Sequence, residues 1–202
     1  MSPCKQRLGS ILIFALLAMV IVWNQMRHVS MLQFDKNESR HIGGAFSLIA
    51  HDGRIVSETS WPGRFLLIYF GYRFCPDVCP TSLQVMGEVM QLLGESAEAV
   101  QPLFVSVDVE RDLPELLGEY VALFDHRFLG LTGSAEQIKE ITKAFRVSYK
   151  KIGNEPDYQI DHSSFTYLTD DQGKILTVFP HKTSSDTMAT AIRAVLTSLR
   201  RS

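Results

Sequence analysis

The chain has 202 residues, 46% of them hydrophobic and 21% charged, with 20 Lys+Arg against 22 Asp+Glu and a formal net charge of −2. That much apolar material buries one sizeable core and argues against disorder, and without a basic excess there is no electrostatic footprint for nucleic acid. Three cysteines are an odd number and too few to staple a disulfide-rich mini-protein.

The first element is an uncharged apolar run from Leu8 to Trp23. It approaches membrane-spanning length once Asn24, Gln25 and Met26 carry it into the interface, where Trp23 suits the headgroup level. Lys5, Arg7 and the terminal amine precede the run and Arg27 follows it, an asymmetry that points to an N-terminus inside. These features predict a short cytoplasmic tail at 1–7, a single transmembrane anchor at 8–26 and a linker at 27–44. A cleaved signal peptide has an apolar region of similar length. Val20 to Trp23, however, are all bulky and offer no small-x-small cleavage site. Cys4 precedes the run, so it is not a lipoprotein cysteine, and its cytoplasmic placement makes it incidental.

Residues 45–200 read as one domain. Phe46–Ala50 and Ile55–Ser57 flank His51-Asp52-Gly53, a hairpin signal, and Trp61-Pro62-Gly63 is a turn. Phe65–Phe70 is a continuous apolar run of strand length, suited to a parallel sheet covered on both faces. From Val78 to Leu93 the apolar spacing is helical, and Gly94 ends it. Leu103–Val107 is a second buried strand, followed by a helix at Leu113–Phe124 with Pro114 in its first turn. Phe128–Leu131 is a short strand, and Ser134 caps a helix that presents Ile138, Ile141, Ala144 and Phe145. Phe165–Leu168 and Ile175–Phe179 form a hairpin across Asp170-Asp171-Gln172-Gly173, and Asp186–Leu199 is a closing amphipathic helix. The order implies an α/β domain with a mixed central sheet flanked by helices, an extra N-terminal β-hairpin and a thioredoxin-like layout.

The chemistry concentrates in Gly71-Tyr-Arg-Phe-Cys75-Pro-Asp-Val-Cys79-Pro80, where a strand delivers the chain into a helix. Thiols there meet the positive end of the helix dipole and free N–H groups, which favour thiolate, and Arg73 adds to this. Dithiol redox motifs usually separate the cysteines by two residues, whereas here three intervene. If Cys75 lies in the first helical turn, the i, i+4 relation puts both sulfurs on one face. Two such thiolates chelate a soft ion: they select Cu(I) and Zn, and an added imidazole also suits Cu(II). Of the six histidines, His162 stands immediately before a predicted strand, at the edge where such a sheet gathers its site. His51, His126 and His181 read as solvated or structural. A plain structural disulfide is opposed by the helix-start position, the flanking prolines and His162. A thiol–disulfide oxidoreductase stays open, since dithiols close enough to share a metal also form a disulfide. Against a general reductase, the chain has Asp161-His-Ser-Ser164 where thioredoxins place a cis-proline. No clear peroxidatic thiol environment is present.

Three segments resemble the Sco/SenC family in the same order: Phe74-Cys75-Pro-Asp-Val-Cys79-Pro-Thr81, Val105-Ser-Val-Asp108 with Glu110-Arg-Asp112, and Asp161-His162-Ser163 leading to Tyr167-Leu168. The resemblance covers roughly residues 40–200. It implies a membrane-anchored, thioredoxin-like copper protein that serves assembly of the CuA centre of cytochrome c oxidase. One copper, Cu(I) or Cu(II), is then held by Cys75, Cys79 and His162, and the two cysteines form a disulfide in the copper-free oxidised form. Implied partners are the CuA-bearing oxidase subunit, other copper chaperones or thiol–disulfide reductases, and the membrane, with no nucleic acid. Val109 stands where the family usually has proline, and Tyr72-Arg73 replaces the commoner Phe-Thr, neither removing a ligand. Asp161 is the expected partner orienting His162, and Asp77 the expected residue tuning the loop or meeting the partner. The short N-terminus favours a bacterial inner membrane with the domain in the periplasm; the alternative is the mitochondrial inner membrane facing the intermembrane space.

Overall fold

The computed structural model describes residues 42–154 and 157–199. The expected tail, anchor and nearly all of the linker lie outside the described residues. Among the described residues no helix is long and apolar enough to cross a membrane.

The elements in chain order are β1 (Ser47–Ala50), β2 (Ile55–Ser57), β3 (Phe65–Gly71), α1 (Val78–Leu93), β4 (Val100–Ser106), α2 (Pro114–Ala122), β5 (Leu129–Thr132), α3 (Ala135–Ala144), β6 (Tyr149–Ile152), β7 (Gln159–His162), β8 (Thr166–Thr169), β9 (Ile175–Phe179) and α4 (Ser185–Leu199). Seven strands form one sheet in the order β2-β1-β5-β4-β3-β8-β9, while β6 and β7 pair separately. The β3–β4 and β4–β5 pairs are parallel, and the remaining pairs are antiparallel. This is the mixed thioredoxin-like sheet with its N-terminal hairpin that the strand and helix order implies.

The apolar run of β3 and the neighbouring β4 occupy the middle of the sheet, and their residues from Leu66 to Gly71 and Val100 to Ser106 are all buried, Gln101 and Ser106 included. Helix α1 turns Leu83, Met86, Val89 and Met90 inward and packs against α4. It stops at Gly94, whose φ of 57° lies in the left-handed region that costs other residues a Cβ clash. Helix α3 starts on a capping box: the Gln137 N–H donates to Ser134 Oγ at 3.2 Å, and the Gln137 side chain returns to the Ser134 N–H at 2.8 Å.

Two elements depart from the sequence expectation. Strand β4 begins at Val100, three residues early, and includes Pro102, which pairs in register with Leu67. Proline lacks a ladder donor and so masks a strand in the sequence. The β6–β7 hairpin was not expected at all. Lys150, Lys151, Ile152, Gln159 and Asp161 are exposed, so its strands carry no apolar alternation.

Candidate metal centre

Strand β3 ends at Gly71 and α1 starts at Val78, so residues 72–77 cross the C-terminal edge of the parallel strands. Cys75 lies in this loop and Cys79 in the first turn of α1, so the expected i, i+4 helical relation does not hold. A turn brings the sulfurs together instead, with the Cys75 N–H donating to the Tyr72 carbonyl at 3.2 Å. His162, the last residue of β7, arrives from the opposite side and puts Nε2 3.2 Å from Cys79 Sγ. Sulfur, sulfur and imidazole nitrogen all lie within 4.8 Å of one another. The three expected ligands therefore converge.

The surroundings hold each donor in place. His162 Nδ1 faces the Ser163 carbonyl at 3.1 Å. A carbonyl only accepts, so Nδ1 carries a hydrogen, and Nε2 is the ring atom turned toward the sulfurs. Tyr69 and Tyr72 set their rings edge-on to the imidazole, at centroid distances of 6.2 and 5.8 Å. Tyr72 also donates its hydroxyl to Gln159 Oε1 at 2.8 Å, which ties the cysteine loop to the start of β7. Gly71 makes room for the buried sulfur: a Cβ there would sit 2.6 Å from Cys79 Sγ. Gly71, Tyr69 and Tyr72 were not recognised as site residues from the sequence, where they read as strand and turn.

Burial separates the two thiols. Both are buried, but Cys79 is fully enclosed whereas Cys75 keeps 9% of its surface accessible. The Cys75 thiol is brought down to about 4, chiefly by a hydrogen bond from Cys79, with help from His162 and the N–H groups of Asp77 and Cys79 at the helix start, against the cost of burial. Burial drives the Cys79 thiol upward, and the neighbouring Cys75 thiolate holds it there. The apo site is thus one thiolate accepting a hydrogen bond from one thiol. The phenol of Tyr69 is also pushed up, chiefly by burial, so it stays neutral beside them.

Other expected contributors lie elsewhere. Asp161 neighbours His162 on a strand, so the two side chains project to opposite faces. It is exposed, and among the described residues no hydrogen bond joins it to the imidazole, whose Nδ1 faces the Ser163 carbonyl instead. Asp77 is exposed and its side chain does not cap α1; its carbonyl accepts from Thr81 Oγ1 at 2.9 Å. Arg73 stands by Phe74, 4.4 Å from the ring centroid, and 3.7 Å from the buried Asp112 carboxylate, which offsets its charge. His51 accepts from the Gly130 N–H at 3.1 Å and His126 is exposed beside Asp125, both structural or solvated as expected. Asp108, Arg111 and Asp112, in the second of the three motifs, hold the loop after β4 through buried hydrogen bonds.

A family model described as SCO1/SenC matches residues 34–197. The chain belongs to the SCO1/SenC family. A SCO2-like protein of Rickettsia conorii is 44% identical over 141 residues, covering 68% of this chain and 69% of the relative. The crystal structure of Arabidopsis thaliana ScoI with copper bound superposes with a TM-score of 0.72 at 36% identity, covering 80% of this chain and 99% of that one. BsSco, described as a member of the Sco family of cytochrome c oxidase assembly proteins with a disulfide switch, gives 0.61 at 26% identity, over 77% and 93%. Within the SCO1/SenC fold the donor set fits copper. Two sulfurs and one imidazole nitrogen, with no carboxylate among them, are the soft-to-borderline ligands that copper selects.

Proposed function

We propose that this SCO1/SenC protein is a copper chaperone. It takes up one Cu(I) or Cu(II) through Cys75, Cys79 and His162 and delivers it to, or prepares, the CuA site of cytochrome c oxidase. The observation that carries this reading is the convergence of the three donor atoms within 4.8 Å, with Cys75 the less enclosed of the two sulfurs. Copper is the cargo here. Two thiolates suffice for Cu(I), whereas the imidazole eases acceptance of Cu(II). A thiolate of the acceptor would reach the cargo on the Cys75 side, because Cys79 is sealed behind Tyr69 and Gly71. The CuA-bearing subunit is the acceptor this chemistry suits. The predicted anchor at 8–26, in a bacterial inner membrane with the domain on the periplasmic side, would keep carrier and acceptor on one surface and raise their effective concentration. Carbonate-washed membranes should retain the full-length chain, and a soluble form beginning near residue 24 would overturn the anchor.

The test of the copper reading is the spectrum and stoichiometry of the purified protein. One copper per chain with sulfur-to-Cu(II) charge-transfer absorption is expected. His162→Ala should remove that absorption, and an unchanged Cu(II) spectrum would rule out the ligand assignment.

A second reading, reduction of the CuA-site cysteines of an oxidase subunit, is favoured by the asymmetry of the pair. A thiolate at Cys75, the less enclosed of the two sulfurs, backed by a fully enclosed thiol at Cys79 is the arrangement of an attacking and a resolving sulfur. Each cycle would turn a partner disulfide into two thiols while Cys75 and Cys79 close their own disulfide, which other thiol–disulfide reductases would then reopen. Cells carrying His162→Ala with both cysteines intact separate the two: normal oxidase assembly supports reduction, and failed assembly supports copper delivery.

A further inference from the structure

The cysteines lie on one short segment and stay neighbours in any arrangement of the fold. His162 does not: it comes from a two-stranded sheet that is separate from the main one. Something must therefore hold that hairpin against the cysteine loop: the Tyr72–Gln159 hydrogen bond joins them directly, and Arg111 is a third residue that touches both. Its Nε donates to Asp108 Oδ2 at 2.6 Å and its Nη1 to the Tyr158 carbonyl at 3.0 Å. The guanidinium lies 3.6 Å from the centroid of the Tyr158 ring, immediately before β7, and 4.7 Å from that of Phe74, immediately before Cys75. The Tyr72 ring, edge-on to His162, is 5.9 Å away. Asp108 is buried and also accepts the Tyr158 hydroxyl at 2.5 Å. From the same loop, Ser106 Oγ donates to Asp112 at 2.6 Å, and the Arg73 N–H donates to Asp112 at 2.9 Å. The loop after β4 thus grips the cysteine segment with one end and the base of β7 with the other.

We propose that Arg111 is a positioning residue that sets the spacing between His162 and the cysteine pair, and so governs how well the site accepts Cu(II) relative to Cu(I). The inference rests on the copper reading above. A planar guanidinium suits the task because it donates in two directions while its face meets a ring; an ammonium in the same place keeps the charge and loses that geometry. Cu(I) is satisfied by the two sulfurs alone, so a displaced imidazole penalises Cu(II) selectively.

The experiment compares full-length wild type with Arg111→Lys and Tyr158→Phe, the latter keeping the stacked ring and losing only the hydroxyl's bonds to Asp108 and Glu110. Arg111→Lys should weaken Cu(II) by the roughly 10–100-fold typical of lost outer partners, with a shifted charge-transfer band, while Cu(I) affinity holds. Tyr158→Phe should shift both in the same direction by less. A metal-free readout accompanies them: amide hydrogen exchange in 149–152 and 159–162 should rise about tenfold or more while β3 and β4 keep wild-type protection. Parallel losses for Cu(I) and Cu(II), or exchange raised equally across the whole sheet, would show a general structural role and overturn the proposal. Unchanged Cu(II) affinity with unchanged hairpin exchange would overturn it as well. If wild type itself takes up no copper, the copper reading fails, and the hairpin-selective exchange alone decides whether Arg111 positions His162.

Discussion

The two halves of the metal centre are built on opposite principles. The cysteine half grows from the most buried part of the sheet: β3 delivers the loop, α1 receives it, and Cys79 is packed among Tyr69, Gly71 and Phe104. The histidine half is a polar two-stranded hairpin with mostly exposed residues, held by Tyr158, Ile160 and a few hydrogen bonds. A rigid dithiol beside a separately tethered imidazole is an arrangement in which one ligand can loosen while two stay in place. That difference suits a cargo that has to be released, and it is what the following substitutions are designed to break.

The largest effect is expected on the rigid side. Cys79→Ala should abolish copper binding in both oxidation states, as metal titration of the purified protein would reveal, because a single thiolate with one imidazole no longer forms the dithiolate chelate. On the tethered side, His162→Ala should lower Cu(II) affinity by more than the roughly 10–100-fold cost of losing an outer partner, while Cu(I) stays bound by the sulfurs. Equal losses for the two oxidation states would erase the distinction between the halves.

Gly71→Ala probes the packing of the rigid half. The new Cβ would stand 2.6 Å from Cys79 Sγ and 3.1 Å from the Phe104 ring, with no slack on either side. Overpacking of this kind costs about 1–3 kcal/mol, measurable by denaturant titration, and copper affinity should fall with it. A stable variant with wild-type copper binding would mean that the sulfur is not confined as described.

The acidity of Cys75 gives a pH signature. Its folded value of about 4 lies below the ordinary 9.0 of a thiol, so the thiolate stabilises the fold above that ordinary value and this contribution is lost as pH falls through about 4. Iodoacetamide labelling of the metal-free protein should stay fast at Cys75 well into the acidic range and slow only toward that value, with Cys79 protected throughout. Labelling that falls off around the ordinary thiol range would remove the basis for an asymmetric pair. The smallest effect belongs to Asp161→Asn, which should change stability by no more than about 0.5 kcal/mol and leave the Cu(II) spectrum as it is, since the exposed carboxylate does not orient the imidazole.

The same contrast governs what the amino-acid sequence discloses. Helix α1 is legible to the residue, Val78 to Leu93, because its apolar face has helical spacing and Gly94 stops it. The strand Phe65–Phe70 is legible because an unbroken apolar run fits only a buried element. The three candidate ligands were legible as residue types, by the spacing of the cysteines and the place of His162 before β8. What was hidden is how they meet. The helical relation assumed for the sulfurs is replaced by a turn at Tyr72, since Pro76 pushes Cys75 out of the helical region and the chain turns helical only at Val78. The β6–β7 hairpin has no apolar pattern to announce it, and the partner of the His162 ring is a backbone carbonyl, a group every residue carries and no side chain signals. Arg111 was visible only as part of a motif, because its contacts join segments far apart in the chain.

The most direct test of the copper site is X-ray absorption on the copper-loaded protein in both oxidation states. Two sulfurs plus one imidazole nitrogen are expected around the bound copper in both states, the nitrogen disappearing in His162→Ala. A Cu(II) centre with fewer than two sulfurs, or one whose imidazole signal survives that substitution, would contradict it.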